Sequence, residues 1–225
     1  MLNRLPQNPS VPFFGATLKP VASAKDLGVI LDPHLTYDHH ISKTVSSCFS
    51  KLYQIDRVKK SFDKETLKLL ITTLVFSKML YCSTVWSRTL TQNINKLQSI
   101  QNFASKIVMN SWKFHYVTPL LRQLNWLPVS QVLYYRDCVL NYKCFNSLAP
   151  QYLVNKFTKS SSILARHTRN RDLLHIPLYR TATGQRTFTY RGTSIWNNID
   201  DIKQCGSLQS FKKIIKWQLS EQVFS

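Results

Sequence analysis

The sequence predicts a mainly α-helical protein that begins with a small β-hairpin. Apolar residues recur at intervals of three and four along most of the chain after residue 36, which is the pattern of amphipathic helices. Before that residue, short apolar runs alternate with turn-forming residues, which is typical of strands. A hydrophobic content of 44% in a chain of 225 residues is sufficient for a buried core.

The amino-terminal hairpin is predicted from two apolar runs, residues 12–18 and 26–31, on either side of a turn-prone stretch. Asp32 and Pro33 mark its end. Residues 27–31 form an almost unbroken apolar strand, which suits a strand covered on both faces. We therefore expect this strand either to be covered by the helices or to form an exposed apolar edge prone to association.

Three helices are predicted to follow and to form one bundle. The first has a single apolar stripe made of Ile41, Val45, Cys48, Leu52 and Ile55. The second is predicted to start after the N-cap Asp63 and to run without a break over residues 64–86. The third has the stripe Ile94, Leu97, Ile100, Ala104 and Ile107, and should stop around residues 110–112.

The second half of the chain predicts a further helical unit. Thr118 and Pro119 should open a short helix that ends before residue 127, and Ser130 should start a longer one that ends before Pro150, followed by a short helical turn. The longer helix has the stripe Val132, Tyr135, Val139 and Tyr142. Residues 158–190 predict a loop with brief extended pieces. A last helix, capped by Ser207, has the stripe Leu208, Phe211, Ile214, Ile215 and Leu219.

The charge of the chain predicts a polyanionic partner. Thirty Lys and Arg against eleven Asp and Glu give a net charge of +19, which must lie largely on the surface. Nucleic acid, an anionic membrane and an acidic protein all fit that charge. We expect no membrane segment, since Lys68 and Lys78 interrupt the most apolar run, and the prolines near the amino terminus disfavour a signal peptide. Export is therefore not indicated, and the sequence does not assign an intracellular location, nucleus or cytoplasm.

No pattern in the sequence predicts catalytic residues, a metal or a cofactor. The pair Asp200 and Asp201 is predicted to lie in a solvated loop and not in the tight hairpin of a polymerase site. Neighbouring positions on a helix point in different directions, so His39 and His40 cannot join one metal site. The five cysteines are odd in number and lack a CxxC pair, which argues against disulfides and zinc.

The strongest signal for a ligand is the basic segment of residues 156–191, in which Asp172 is the one acid. Arginine suits phosphate and aromatic rings suit unpaired bases, so the segment predicts nucleic-acid contacts. The candidate contact residues are Lys156, Lys159, Arg166, Arg169, Arg171, Arg180, Arg186, Arg191, Tyr179 and Tyr190. A solvated basic loop with aromatic core anchors remains the alternative, and Phe188 and Trp196 belong to the core on either interpretation. A second cluster, Arg57, Lys59 and Lys60, is explained by the dipole of the preceding helix.

Several sequence blocks, in order, resemble one known family. They are DLGVILDPHL from residue 26 with His40-Ile41, LYCSTVW from residue 80, LQSIQNFA from residue 97, LNWLPV from residue 124, LAP from residue 148, and TGQRTF from residue 183 through Trp196-Asn197. This order resembles the carboxy-terminal region of reverse transcriptases from LINE-like (non-LTR) retrotransposons of the CR1, jockey and L2 type.

The resemblance implies which part of a reverse transcriptase each range of the chain would form. Residues 1–35 would be the last hairpin of the polymerase palm, residues 36–115 the helical thumb that holds the template–primer duplex, and residues 116–225 a helical region with the basic loop 156–191. The fingers, the palm aspartates, the endonuclease and the family's cysteine–histidine knuckle are absent, which would make Met1 an internal methionine of a truncated element.

From this resemblance we expect a catalytically incomplete fragment that binds RNA or an RNA–DNA duplex. It could also associate with a separate palm-containing polypeptide. The alternatives are a transposon remnant without function, and an interaction module that uses its basic surface to bind acidic proteins.

Overall fold

The computed structural model describes residues 11–162, 173–199 and 205–224. Two small antiparallel hairpins open the described chain. Strand β1 (Val11–Phe13) pairs with β2 (Ala16–Leu18), and β3 (Ala24–Asp26) pairs with β4 (Val29–Leu31). Helices make up most of the described chain after residue 37. The predicted fold class is confirmed, with two hairpins in place of one.

The two hairpins close through turns of the same kind. Phe14 and Gly15 have φ values of 44° and 77°, and Leu27 and Gly28 have φ values of 42° and 88°. Positive φ at both central residues matches the right-handed twist of the flanking strands. The prediction that Leu27 lies inside a strand is therefore wrong: its side chain is 83% exposed at the turn, while Val29 is buried against the helices.

Five helices form the first half of the helical region. They are α1 (Asp38–Val58), α2 (Lys64–Ile71), α3 (Ser77–Met79), α4 (Ser83–Trp86) and α5 (Thr91–Val108). A 3₁₀ turn, Lys59–Ser61, comes directly after α1, and a π-helical stretch, Thr72–Phe76, joins α2 to α3. The Asp63 cap of α2 is confirmed, since its carboxylate accepts a hydrogen bond from the Thr66 amide at 3.3 Å.

The predicted unbroken helix over residues 64–86 is wrong, because the chain turns between α3 and α4. Cys82 adopts φ 48°, a left-handed conformation that ends a helix. The Trp86 indole N–H then donates to the Tyr81 carbonyl at 2.9 Å. This turn places the Trp86 ring among the most deeply buried side chains of the molecule.

The second half contains six helices in the described residues: α6 (Val117–Leu124), α7 (Val129–Phe145), α8 (Gln151–Val154), α9 (Ala182–Gln185), α10 (Phe188–Asn198) and α11 (Leu208–Phe224). Helix α6 begins two residues before the predicted first helical residue Pro119, so Thr118 lies inside the helix and its predicted capping role is wrong. The predicted loop extended to residue 190, whereas α10 begins at Phe188. The cap of α11 is confirmed, with Ser207 Oγ accepting from the Ser210 amide at 3.1 Å. Asp200 and Asp201 lie outside the described residues.

Two hydrophobic cores share helix α7. Leu133 packs in the first core, with the buried faces of α1, α2 and α5, while Cys138 and Tyr142 pack in the second, with α10 and α11. The Tyr142 ring stacks on Phe211 with centroids 4.4 Å apart. The predicted stripe of α7 faces the second core, and the opposite face, which the stripe did not include, contributes Leu133 to the first.

The cysteines of the chain are free thiols. Cys48, Cys138 and Cys144 are buried, and burial raises the pKa of Cys48 to about 11 and that of Cys138 to about 12. Such thiols carry little thiolate and are unreactive. Across the described ranges, no helix is long and apolar enough to cross a bilayer, and no group of three His, Cys, Asp or Glu side chains is placed to hold a metal.

Candidate nucleic-acid interface

The predicted basic segment is described over residues 156–162 and 173–191. Arg166, Arg169 and Arg171 lie outside the described residues. Lys156, Lys159 and Arg180 are exposed, as a contact with a polyanion requires. The remaining candidates, Arg186, Arg191, Tyr179 and Tyr190, have partners within the protein that decide how much of each is available.

The backbone of the segment is tied to α10. Lys159 and Leu174 form an antiparallel bridge, and the His175 amide donates to the Thr158 carbonyl at 2.8 Å. The Asn197 side chain accepts from the Leu174 amide and donates to its carbonyl, both at 2.9 Å. The Asn197 side chain thus makes the two hydrogen bonds to Leu174 that a neighbouring β-strand would otherwise provide. The predicted loop with brief extended pieces is held in one place by these contacts.

Four half-buried aromatic side chains in and beside the segment are packed against one another. The Phe157 ring lies 5.0 Å from Phe145 and 5.6 Å from Phe188, and Phe145 lies 4.3 Å from Trp196. These rings anchor the segment onto α7 and α10. Trp196 packs against the second core, as predicted, whereas Phe188 and Phe157 are half-buried and belong to neither core.

Tyr179 and Tyr190 form a pair at the edge of the segment. Their ring centroids are 6.1 Å apart in an edge-to-face arrangement. A Cβ atom at Gly184 would lie 2.7 Å from the Tyr179 side chain, so only glycine lets α9 pass this close. Tyr179 remains 38% exposed, while Tyr190 is half-buried. Of the two rings, Tyr179 is the better placed to reach a ligand.

Arg191 is not at the surface. Its side chain is 2% exposed, and its Nε lies 2.8 Å from Oδ2 of Asp137, which is 3% exposed. Its Nη2 lies 3.3 Å from Oδ1 of the same carboxylate and also donates to the Thr84 carbonyl. The planar guanidinium suits this two-pronged pairing. Arg191 therefore joins α10 to α7 and α4, and is not presented to a surface ligand as the sequence predicted.

The Asp137 carboxylate is held by several groups at once. Burial raises its pKa, and the opposing charge of Arg191 together with a hydrogen bond from Ser87 lowers it. Ser87 Oγ donates to Oδ2 at 2.8 Å. Since the carboxylate has both a cation and a hydroxyl donor, the interior charge is compensated on both oxygens.

Arg186 has an intermediate position. Its Nη1 donates to the His34 carbonyl at 2.8 Å, which ties the turn before α10 to the loop after β4. The Arg186 side chain is half-buried. Its carbonyl also accepts from Arg191 Nη1 at 3.3 Å. Arg186 therefore has a positioning role while keeping part of its surface open to solvent.

Sequence reasoning missed Asp137 as the partner of Arg191. The available signal was the spacing of Leu133, Asp137 and Asn141, which puts a lone acid and an amide on one apolar face of α7. The Asn141 amide donates to the Gly192 carbonyl at 3.1 Å. A Cβ at Gly192 would meet Asn141 Oδ1 at 2.7 Å. Asp137 and Asn141 on this face of α7 therefore both contact α10, through Arg191 and Gly192.

The chain is similar to part of one curated transposon protein. It is 26% identical over 114 residues to a protein of Drosophila melanogaster named probable RNA-directed DNA polymerase from transposon BS. The match covers 49% of this chain and 13% of that relative. No description of a known protein family matches the chain, and no solved structure does. The likeness supports a relationship between this chain and the reverse transcriptases of transposons.

Proposed function

We propose that this chain is a fragment of a non-LTR retrotransposon reverse transcriptase that binds RNA or an RNA–DNA duplex without catalysing polymerisation. Its contacts would come from Lys156, Lys159, Arg180, the exposed part of Arg186 and the ring of Tyr179. Arg166, Arg169 and Arg171 stay in the proposal as sequence-predicted contacts. Arg191 and Tyr190 are left out, the first because Asp137 occupies its guanidinium and the second because its ring is half-buried against Tyr179.

The charge balance is the observation that carries this proposal. At most eleven of the thirty basic side chains can be matched one to one by a carboxylate, and the excess is +19. One of those carboxylates, on Asp137, is used in the interior. The surface therefore carries a large uncompensated positive charge, and phosphate backbones are the partners that such a surface binds through release of counterions.

The fold is compatible with a thumb. We assign the two hairpins to the end of the palm, residues 36–115 to the thumb and residues 116–225 to the region after it, with α1 and α5 packed side by side in the middle unit. The transposon relative supports this family, and the order of the sequence blocks supports this part of it. We propose binding without catalysis because the one adjacent aspartate pair of the sequence, Asp200 and Asp201, is predicted to lie in a solvated loop and not in a polymerase hairpin.

A variant with three charges removed tests the location of the interface. Lys156→Gln, Lys159→Gln and Arg180→Gln should flatten the slope of log affinity against log salt by about 2 to 3, because each lost phosphate contact removes about 0.7 to 0.9. The matched control removes three exposed cations of α6 and α11: Arg122→Gln, Lys213→Gln and Lys216→Gln. An equal effect of the control would refute this location.

The alternative, an interaction module for acidic proteins, has a separate test. Displacement of a bound acidic protein by heparin but not by RNA would favour the interaction module.

The absence of catalysis has its own test. The chain is incubated with a labelled RNA–DNA primer–template, Mg²⁺ and deoxynucleotides, and primer length is read on a gel. We expect no extension. Extension by the purified chain would overturn this part of the proposal, whereas extension only after a palm-containing polypeptide is added would identify the chain as a subunit.

An association with such a polypeptide is favoured by the first hairpin. Phe14 is 96% exposed, and Val11, Phe13 and Leu18 are each more than half exposed. Clustered apolar side chains in contact with water favour association. We propose this hairpin as the contact, tested by whether Phe13→Ser with Phe14→Ser abolishes co-purification with the palm polypeptide while Val58→Ser, an exposed apolar residue of α1, leaves it intact.

A further inference from the structure

A second surface, outside the predicted basic segment, lies at the end of the helical bundle where α1 and α5 finish and α2 begins. It contains two adjoining cavities. The first, about 460 Å³, is lined by Lys59, Lys106 and Lys113, among others. The second, about 310 Å³, is lined by Lys59, Lys60 and Lys64. The two cavities share Lys59 and Ile107 and therefore adjoin, and we call them together the bundle-end surface.

The charge of the bundle-end surface is strongly positive. Five lysines line the two cavities, against the single carboxylate of Asp56, which lies 2.9 Å from Lys59 Nζ. The dipoles of α1 and α5 favour cations at their carboxy-terminal ends, which explains Lys59 and Lys106. Lys64 stands in the first turn of α2, where the dipole disfavours a cation, and Lys113 lies in the loop beyond α5. Helix electrostatics therefore leave part of this charge unexplained.

Exposed aromatic rings stand beside these lysines. Trp112, Phe114 and Tyr116 are 70%, 73% and 89% exposed, in the loop that comes after α5. The Trp112 and Phe114 rings meet edge to face at 5.2 Å, and Lys113 Nζ lies 5.7 Å from the Phe114 centroid. Lys106 Nζ donates to the Lys113 carbonyl, which fixes the loop against the first cavity.

These rings are unlike the aromatic anchors of the basic segment. Phe157 is half-buried between Phe145 and Phe188, whereas Trp112 and Phe114 contact each other and are 70% and 73% exposed. Leaving three large rings in water forgoes the free energy of burying each one. Packing of the fold therefore does not account for their presence, and a ligand that covers them would.

We propose that the bundle-end surface binds an unpaired, single-stranded segment of nucleic acid. Bases would stack on Trp112, Phe114 and Tyr116, and the five lysines would contact the phosphates. Lysine-rich grooves with neighbouring exposed rings are the common means of binding single strands, since every base has a stacking face that pairing hides. A duplex keeps its bases paired and would leave the rings unused. The inference rests on the proposed function and names the strand form bound at this second surface.

The test removes two rings without changing charge. Trp112→Ala with Phe114→Ala is compared with Trp217→Ala and Phe14→Ala, which remove the same two ring types at exposed positions of α11 and the first hairpin. Binding is measured by fluorescence anisotropy with a labelled single-stranded oligouridine and with an RNA–DNA duplex of equal length. Circular dichroism and urea unfolding confirm that both variants fold like the wild type.

One base stacked on an aromatic ring contributes about 1 to 3 kcal/mol, which corresponds to about 5- to 150-fold in affinity. The first variant should therefore lose at least about 5-fold in single-strand affinity. Its affinity for the duplex should change less than about 2-fold, and the control should change less than about 2-fold on both probes. An unchanged single-strand affinity, or an equal loss on both probes, would overturn the inference.

These binding measurements distinguish a failure of the bundle-end proposal from a failure of the proposed function. If the wild type binds neither probe in a salt-dependent way, the proposed function itself fails. If the wild type binds the duplex with a steep salt dependence while the ring variant keeps its single-strand affinity, only the bundle-end proposal fails. Displacement of the oligouridine by polyglutamate with the same potency as by unlabelled oligouridine would identify a site for acidic polypeptides, and would also overturn the inference.

Discussion

Replacing Arg191 with methionine is the most informative single change to the fold. Methionine fills a similar volume and removes the charge that faces Asp137, whose side chain is 3% exposed. Removing one partner of a buried ion pair leaves an uncompensated charge and costs about 3 to 5 kcal/mol. The Thr84 carbonyl also loses its donor. We therefore expect Arg191→Met to lose about 3 to 5 kcal/mol of unfolding free energy.

The assay is urea unfolding followed by circular dichroism. With a denaturant slope of about 2 kcal/mol per molar, the midpoint should fall by about 1.5 to 2.5 M. Arg180→Met, at an exposed position of the same segment, is the matched control and should change the free energy by less than about 0.5 kcal/mol.

A double-mutant cycle separates the pair from its surroundings. Asp137→Leu alone strands the Arg191 guanidinium, while the double variant with Arg191→Met replaces the pair by apolar side chains. The double variant should be more stable than the sum of the single losses predicts, by several kcal/mol, because neither charge is left alone. A loss below about 1 kcal/mol in Arg191→Met, or single losses that simply add, would refute the structural role given to this pair.

Three further changes are expected to have measurable effects. Arg191→Met should raise the already raised pKa of Asp137 further, because the opposing charge is lost. The folded state then takes up a proton before the unfolded state does, so the stability lost relative to the wild type should shrink as pH falls towards the ordinary carboxyl pKa; a constant difference would contradict this. Gly192→Ala should cost about 1 to 3 kcal/mol in urea unfolding because its Cβ has no room, whereas Gly206→Ala, with nothing within 4 Å, should be neutral; equal effects would refute the packing. Ser207→Ala should cost about 1 kcal/mol through loss of its cap, and a neutral result would show that α11 does not depend on it.

The helices with one apolar face were predictable from the sequence. The stripes of α1 and α5 recur every three or four residues, and both helices lie where those stripes indicated. Helix α7 is buried on two sides, so one stripe described only half of its packing. The break before α4 was not predictable, because Cys82 is neither glycine nor asparagine and nothing local marks its positive φ.

The sequence contains a signal for the hairpin turns that the strand prediction for residues 27–31 does not use. Leu27 with Gly28 is an X-Gly pair between apolar runs, a known turn pattern, but it was assigned to the interior of a strand. The partner of Arg191 could not be found locally, since Asp137 lies 54 residues away. The basic run marked a surface correctly at Lys156 and Lys159, and composition alone could not separate these from a buried arginine of the same run.

The bundle-end surface was only partly visible in the sequence. In the sequence, the dipole of α1 accounts for Lys59 and Lys60, and residues from Trp112 to Tyr116 alternate between rings and basic side chains. Such an alternation is the period-two pattern of a strand and does not predict a ligand site, whereas the structure places these residues in a loop. What the sequence could not provide was their meeting with the ends of α1 and α2, which depends on tertiary packing.

The salt dependence of binding to an RNA–DNA duplex tests the central claim most directly. Seven cations remain in the proposed interface once Arg191 is left out: Lys156, Lys159, Arg166, Arg169, Arg171, Arg180 and Arg186. If each neutralises one phosphate, the slope of log affinity against log salt should be about −5 to −6. A steep slope near that value is the predicted result. Binding that does not change with salt, or no binding at low salt, would contradict the account of this chain as a nucleic-acid-binding fragment.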